Sequence, residues 1–218
     1  AGLSGPLWQV LADATLWHST LRSVLIALTA SSLALLSGWA LLLSSRALRL
    51  RWARRRADLL ELSGSLVLVV PPLVLGTGFF VLLIPVSDVF SLALILVIIV
   101  NALMGLPYVI RILGPTMLQI AEQHERLCAS LGIHGWHRLR WVEWPLLRRP
   151  VGLALALCAA LSTGDLGVIA LFGTQDTTTL PLLLYQRLAS YQMEQAAVTA
   201  LLLVTLCLGI FVTLERII

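Results

Sequence analysis

Reactive side chains concentrate in two places. The first is Asp165, in the stretch LSTGDLG, the one acid set well inside a long apolar run. An ionisable group at membrane depth is costly, and where one occurs it usually faces a bundle interior, a partner or a water-filled path. Ser162 and Thr163 could share hydrogen bonds with it, and the flanking Gly164 and Gly167 let a helix distort there. Three readings stay open: pairing with a neighbouring helix, a local Ser/Thr network, or a carboxylate that lines or gates a pathway. The second place is CASLGIHGWHRLRWVEWPLLRRP, Cys128 to Pro150, where His134, His137, three Trp and four Arg interrupt segments of Leu, Val, Ile and Ala.

Several chemistries are excluded by what accompanies these residues. An aspartyl membrane protease needs Gly-x-Gly-Asp and a second deep Asp, but Ser162 stands at the first Gly position and no other acid lies deep in an apolar run. A serine protease in the membrane needs a deep Ser–His pair, whereas His18, His124, His134 and His137 all lie outside those runs. A zinc site built on His134 and His137 lacks further ligands at metal spacing. Cys128, Cys158 and Cys207 read as buried or free thiols rather than a disulfide framework. All fifteen basic residues are Arg, so the Lys that a nucleotide-binding P-loop requires is missing. No cofactor, no metal and no catalytic residue is expected on this chain.

The scaffold that holds these residues is legible from composition. The 218 residues are 59% hydrophobic and only 12% charged, and the mean hydropathy is +0.94. Soluble domains carry roughly 25% charged residues, so the expected class is all-α, a polytopic transmembrane helical bundle. Five runs are long enough to cross a bilayer core of about 20 residues: Leu21–Ser44, Leu62–Ile84, Leu92–Leu113, Val151–Phe172 and Ala196–Leu214. Six Arg lie in Arg46–Arg56 and five in Arg126–Arg149, against one, Arg187, in the remaining loops. Cytoplasmic loops collect Arg, which places both basic loops inside, the N-terminus outside and Arg216 inside. The same placement explains the net charge of +4 without nucleic-acid binding. Residues 1–18 read as an extracytoplasmic interfacial segment and 19–218 as the transmembrane domain. The chain opens with Ala and has no signal peptide, so it reads as a piece of a longer protein.

Small residues recur at every fourth position in two runs, Ala30, Ala34 and Gly38 in the first and Gly152, Ala156, Ala160 and Gly164 in the fourth. Such stripes let helix backbones approach closely. Pro71–Pro72, Pro107 and Pro115 are expected to interrupt or kink helices. Asn101 suits a bond to a neighbouring helix, or a place on a pathway, and Arg111 suits snorkelling to the interface. Residues 119–149 form a loop with its own structure: EQHERLCASL is helix-compatible, Gly132 breaks it, and a second short helix carries Trp136, Leu139 and Val142 on one strip until Pro145 ends it. Exposed apolar and cationic groups on such a helix–Gly–helix fit a protein partner or the membrane lipid surface.

This loop resembles that of the inner-membrane permeases of bacterial ABC importers, with the pattern Glu-Ala-Ala, three residues, Gly, nine residues, Ile, one residue, Leu-Pro. With Gly132 as the Gly, Val142 takes the Ile position and Trp144–Pro145 the Leu-Pro positions. Arg126, Leu127 and Cys128 stand where Glu-Ala-Ala is expected, with Glu125 one place early. The stretches NALMGLPYVIRIL, STGDLGVIALFG and TLPLLLYQRLASY are further similar to the C-terminal half of permeases of the thiamine importer family, in which one polypeptide fuses two homologous halves.

The resemblance implies a binding-protein-dependent permease of the inner membrane that is not itself an enzyme. Of two cytoplasmic ATP-binding subunits, one would dock on this half's loop through Leu131, Gly132, Ile133, His134 and Trp136, within the segment from Glu125 to Pro145. A periplasmic substrate-binding protein would deliver thiamine or a phosphate ester, and the other permease half would complete the pathway. Asp165, Asn101 and Pro107 are the candidate pathway or gating residues. Related permeases carry iron, sulfate or polyamines, so substrate stays open at this stage. A secondary transporter, which needs no ATPase, would leave the helix–Gly–helix loop unexplained.

Overall fold

A computed structural model of the chain describes residues 10–50, 54–85, 92–133, 135–172 and 177–217, the side chains of Leu50, Arg54, Glu125, Arg126, Ala129, Trp136, Phe172 and Ile217 excepted. Among the described residues every regular element is helical, as a lipid environment demands of backbone that must satisfy its own hydrogen bonds. Helix α1 runs Ala14–Leu50, α2 Arg54–Ser65, α3 Pro72–Leu83, α4 Ala93–Ser130, α5 Gly135–Arg138, α6 Trp144–Gly164, α7 Ile169–Phe172, α8 Leu180–Ala189 and α9 Met193–Ile217. Among the described residues four helical segments are long and apolar enough to cross a membrane, Ala14–Arg49, Ala93–His124, Leu139–Leu171 and Met193–Arg216, and a bent pair, Arg55–Val69 with Pro72–Leu83, makes a fifth where the two arms cross as one span.

The run expected to cross as Leu62–Ile84 is broken. Its two arms, Arg55–Val69 and Pro72–Leu83, meet at 94°. Val70 and Pro71 are extended (ψ 122° and 143°), because a residue followed by proline is driven out of the helical region. Each arm is short; the 12 residues of α3 span about 18 Å, against about 30 Å of bilayer core. The prolines at 107 and 115 do not interrupt their helix. Both lie inside α4, which continues unbroken for 38 residues. Pro107 is fully buried, and helices packed around it hold the geometry that its missing N–H would otherwise loosen.

Helices α1, α4 and α6 form the centre of the bundle around Ala34, Leu106, Val109, Leu113, Leu147, Val151 and Cys158. The small-residue stripe of α1 faces α4: a Cβ added at Gly38 would stand 2.5 Å from Val109 Cγ1. In the fourth run, Gly152 and Ala156 are buried but Gly164 is exposed. A second cluster joins Ile26, Leu96, Val97 and Val100 to Val168, Ile169 and Leu182. A third joins Val10 and Leu16 to Leu180, Leu183 and Val198, where Arg187 on α8 is buried between Asp13 Oδ2 at 2.8 Å and Thr199 Oγ1 at 2.6 Å.

Candidate functional site

The loop is a helix–turn–helix whose turn is set by backbone. Helix α4 stops at Ser130, Ile133 N donates to Cys128 O at 2.9 Å, and Gly132 sits at φ 66°. That six-to-one bond with a left-handed residue is a helix-ending turn that strongly favours glycine. Gly135, at φ 60°, reverses the chain again into α5. Leu131 and Trp141 are 64% and 72% exposed, so two large apolar side chains stand free beside the turn. A groove of about 420 Å³ lies between Gly132, Ile133, His137 and Trp141. His134 lies outside the described residues; of Glu125 and Trp136 only the helical backbone is described.

Pro145 does not end the second helix. Leu139–Glu143 is a π-helical turn that leads directly into α6, and Pro145 occupies the first turn of that helix. A proline is tolerated there because a first-turn N–H has no intrahelical partner to lose. The loop is therefore continuous with a membrane-crossing segment rather than separated from it.

The interior residues meet at a break in that same segment. Asp165 caps α6 with extended backbone (φ −74°, ψ 122°); its Oδ1 accepts from Gly167 N at 3.1 Å. Its Oδ2 is buried without a hydrogen-bond partner among the described residues. Asn101 on α4 is 8% exposed and donates through Nδ2 to Ser162 Oγ at 2.8 Å. Thr163 instead donates to Ala159 O at 2.7 Å. Asp165, Asn101, Ser162, Tyr108, Leu68 and Pro72 are among the residues around a cavity of about 320 Å³, with the 94° break of the second run forming one wall. Pro107 is buried beside Tyr108 but does not line that cavity.

Residues 38–214 match the family model described as the binding-protein-dependent transport system inner membrane component. The chain belongs to that family. It is therefore a multi-pass component of an inner-membrane transport system. It is 41% identical over 216 residues to the thiamine transport system permease protein ThiP of Brucella abortus. It is 44% identical over 215 residues to the protein of the same name from Escherichia coli. These matches cover 99% of this chain but only 39% and 40% of those relatives, so the chain spans about two fifths of their length. The putative 2-aminoethylphosphonate transport system permease protein PhnV of Salmonella paratyphi A is 29% identical over 92% of this chain and 74% of its own.

Of the residues read from sequence, Leu131, Gly132 and Ile133 lie at the turn, Asp165 and Asn101 line the cavity, and Pro145 and Pro107 belong to neither. A third group went unread. Glu143 is 4% exposed and accepts from Arg46 Nη1 on α1 at 2.7 Å, with Arg138 Nε 3.0 Å away. Arg49, one turn on, meets Asp58 at 2.8 Å and Glu61 at 3.1 Å on α2, and Ser45 donates to Glu61 as well. The available signal was charge: Glu143 is the one acid between Cys128 and Pro150, set opposite a basic loop. Trp141, 72% exposed beside the turn, was likewise absent from the expected docking set.

Proposed function

We propose that the chain is the C-terminal permease half of an ATP-driven importer of thiamine or its phosphate esters. The observation that carries this reading is identity of 41–44% across 99% of the chain with permeases named for thiamine transport, against 29% with the phosphonate relative. The Gly132 turn, with Leu131, Ile133, His134 and Trp136, would dock one of two cytoplasmic ATP-binding subunits, and Glu125 and Pro145 bound that docking segment. The basic loops lie on the cytoplasmic side, with residues 1–18 periplasmic and Arg216 cytoplasmic. A periplasmic binding protein delivers substrate, and the other permease half faces this one across the pathway.

Asp165 lines or gates that pathway. Its free carboxylate oxygen, the neighbouring amide of Asn101 and the phenol of Tyr108 suit a cationic aromatic ring, which thiamine carries. A carboxylate whose Oδ2 has no hydrogen-bond partner among the described residues is costly to keep charged unless a charge arrives to meet it, and a transported cation supplies one.

The test is uptake of labelled thiamine by vesicles holding the full-length permease, its ATPase and its binding protein, with identification of the ligand carried by that binding protein. Thiamine or a phosphate ester supports the reading. Iron, sulfate, a polyamine or a phosphonate would overturn the substrate while leaving the permease. Uptake that proceeds with no ATPase would overturn the importer itself.

A further inference from the structure

We propose that Arg46 and Glu143 are positioning residues that carry movement of the 119–149 loop into α1 and thence to the wall of the Asp165 cavity. This inference rests on the docking reading above. It starts from the π turn at Leu139–Glu143. A π turn adds a residue to the helix and rotates the turns beyond it, a distortion found mostly at functional positions. Here it leaves Trp141 72% exposed while Glu143, two residues later, is 4% exposed. The same short segment therefore presents an aromatic ring outward and a carboxylate inward.

The inward carboxylate is gripped by two guanidinium groups, Arg46 Nη1 at 2.7 Å and Arg138 Nε at 3.0 Å. The two contacts differ in kind. Arg46 makes an aligned hydrogen bond, whereas Arg138 Nε and Nη2 are buried without an aligned partner among the described residues. The contact across elements is thus the stronger one, and the contact within the loop is electrostatic only. Charge-assisted bonds of this kind are short and directional, so Glu143 cannot move far without Arg46.

Arg46 lies beside Ser45 and Arg49 on the last turns of α1. Ser45 and Arg49 both hold Glu61 of α2, and Arg49 also holds Asp58. Helix α2 leads to the 94° break, and Leu68 and Pro72 on either side of that break line the cavity with Asp165. The path from loop to cavity runs through these contacts and α2, with a 3-10 turn at Leu66–Val69 as its last link to Leu68. Leu147, buried in the central cluster, supplies apolar contact along the same interface, but apolar contact slides more readily than a directional ion pair.

The experiment uses the full-length permease assembled with its ATPase subunits and binding protein in vesicles. Glu143→Gln keeps the side-chain volume, and Arg46→Met keeps the length of the stem. Each is scored for retained ATPase subunit, ATP hydrolysis and uptake per ATP hydrolysed. The expected result is full retention of the ATPase subunit with uptake per ATP lowered by roughly three- to tenfold. The double exchange Arg46→Glu with Glu143→Arg, made together with Arg138→Gln because Arg138 also faces position 143, restores an opposite-charge pair and is expected to recover most of that loss. Wild-type uptake per ATP in both single variants would overturn the proposal. So would loss of the assembled complex in both, because the pair would then be a folding determinant, and so would an exchange variant no better than the singles. Trp136→Asp separates the two readings: if that variant keeps its ATPase subunit, the docking reading fails whatever the pair does.

Discussion

Asn101 and Ser162 join α4 to α6 by a 2.8 Å hydrogen bond within the wall of the cavity that Asp165 also lines. The bond fixes α6 three residues before its break. Ser162→Ala removes the acceptor and leaves the Asn101 amide without it in a site that is 8% exposed. Interhelical hydrogen bonds in membrane proteins contribute roughly 0.6 kcal/mol on average and up to about 1.7, so a stability loss of about 1 kcal/mol is expected. Reversible unfolding of the detergent-solubilised permease measures it, and Asn101→Ala combined with Ser162→Ala should cost less than the sum of the two.

Asp165→Asn isolates charge from shape. The amide oxygen can still accept from Gly167 N, so the turn that ends α6 survives. What disappears is the negative charge beside the free Oδ2 position. Uptake and substrate-stimulated ATPase activity are expected to fall by about tenfold or more, with unchanged thermal stability, since a lost charge contact to a cation is worth roughly 1.5–3 kcal/mol. Unchanged values of both would remove Asp165 from the pathway.

Sequence periodicity and composition reached the helical class, four of the five membrane runs and the Gly132 turn because each is a local property. Apolar run length reports lipid contact directly, and a glycine between two helix-forming stretches reports a turn. What was illegible depends on neighbours. Pro107 and Pro71 have the same intrinsic chemistry, yet α4 continues through the first while the second run breaks at the other. At the break Val70 and Pro71 are each followed by a proline, which drives both into extended backbone. Asp165 looked like a mid-helix acid, but it is a helix cap beside a cavity that only the broken second run creates. Glu143 escaped because its partner lies 97 positions away, where no spacing rule reaches.

Gly38→Ala tests the closest approach in the bundle core. The added methyl would meet Val109 Cγ1 at 2.5 Å and Val109 Cβ at 3.0 Å. Val109 is fully buried and β-branched, so it has one strongly preferred rotamer in a helix and cannot swing clear. Overpacking of this kind costs roughly 1–3 kcal/mol. A lower unfolding temperature and less folded permease in the membrane are expected, whereas Gly78→Ala, whose added methyl meets nothing within 4 Å, should change neither.

Gly132 makes the sharpest prediction about the docking turn, because space and backbone can be separated there. A Cβ at Gly132 meets nothing within 4 Å, so bulk is tolerated, but φ is 66°. A left-handed conformation costs a non-glycine residue about 1–2 kcal/mol, asparagine least, and proline cannot adopt it at all. The expected order of ATPase subunit retained on purification is therefore wild type, then Gly132→Asn, then Gly132→Ala, then Gly132→Pro, which should retain almost none. The bundle should melt normally in the first three, since Leu131 and Gly132 are exposed and contribute nothing to the core. Equal retention across the series would mean that the turn is not where the partner grips. A series that tracks thermal stability instead of backbone preference would mean the same.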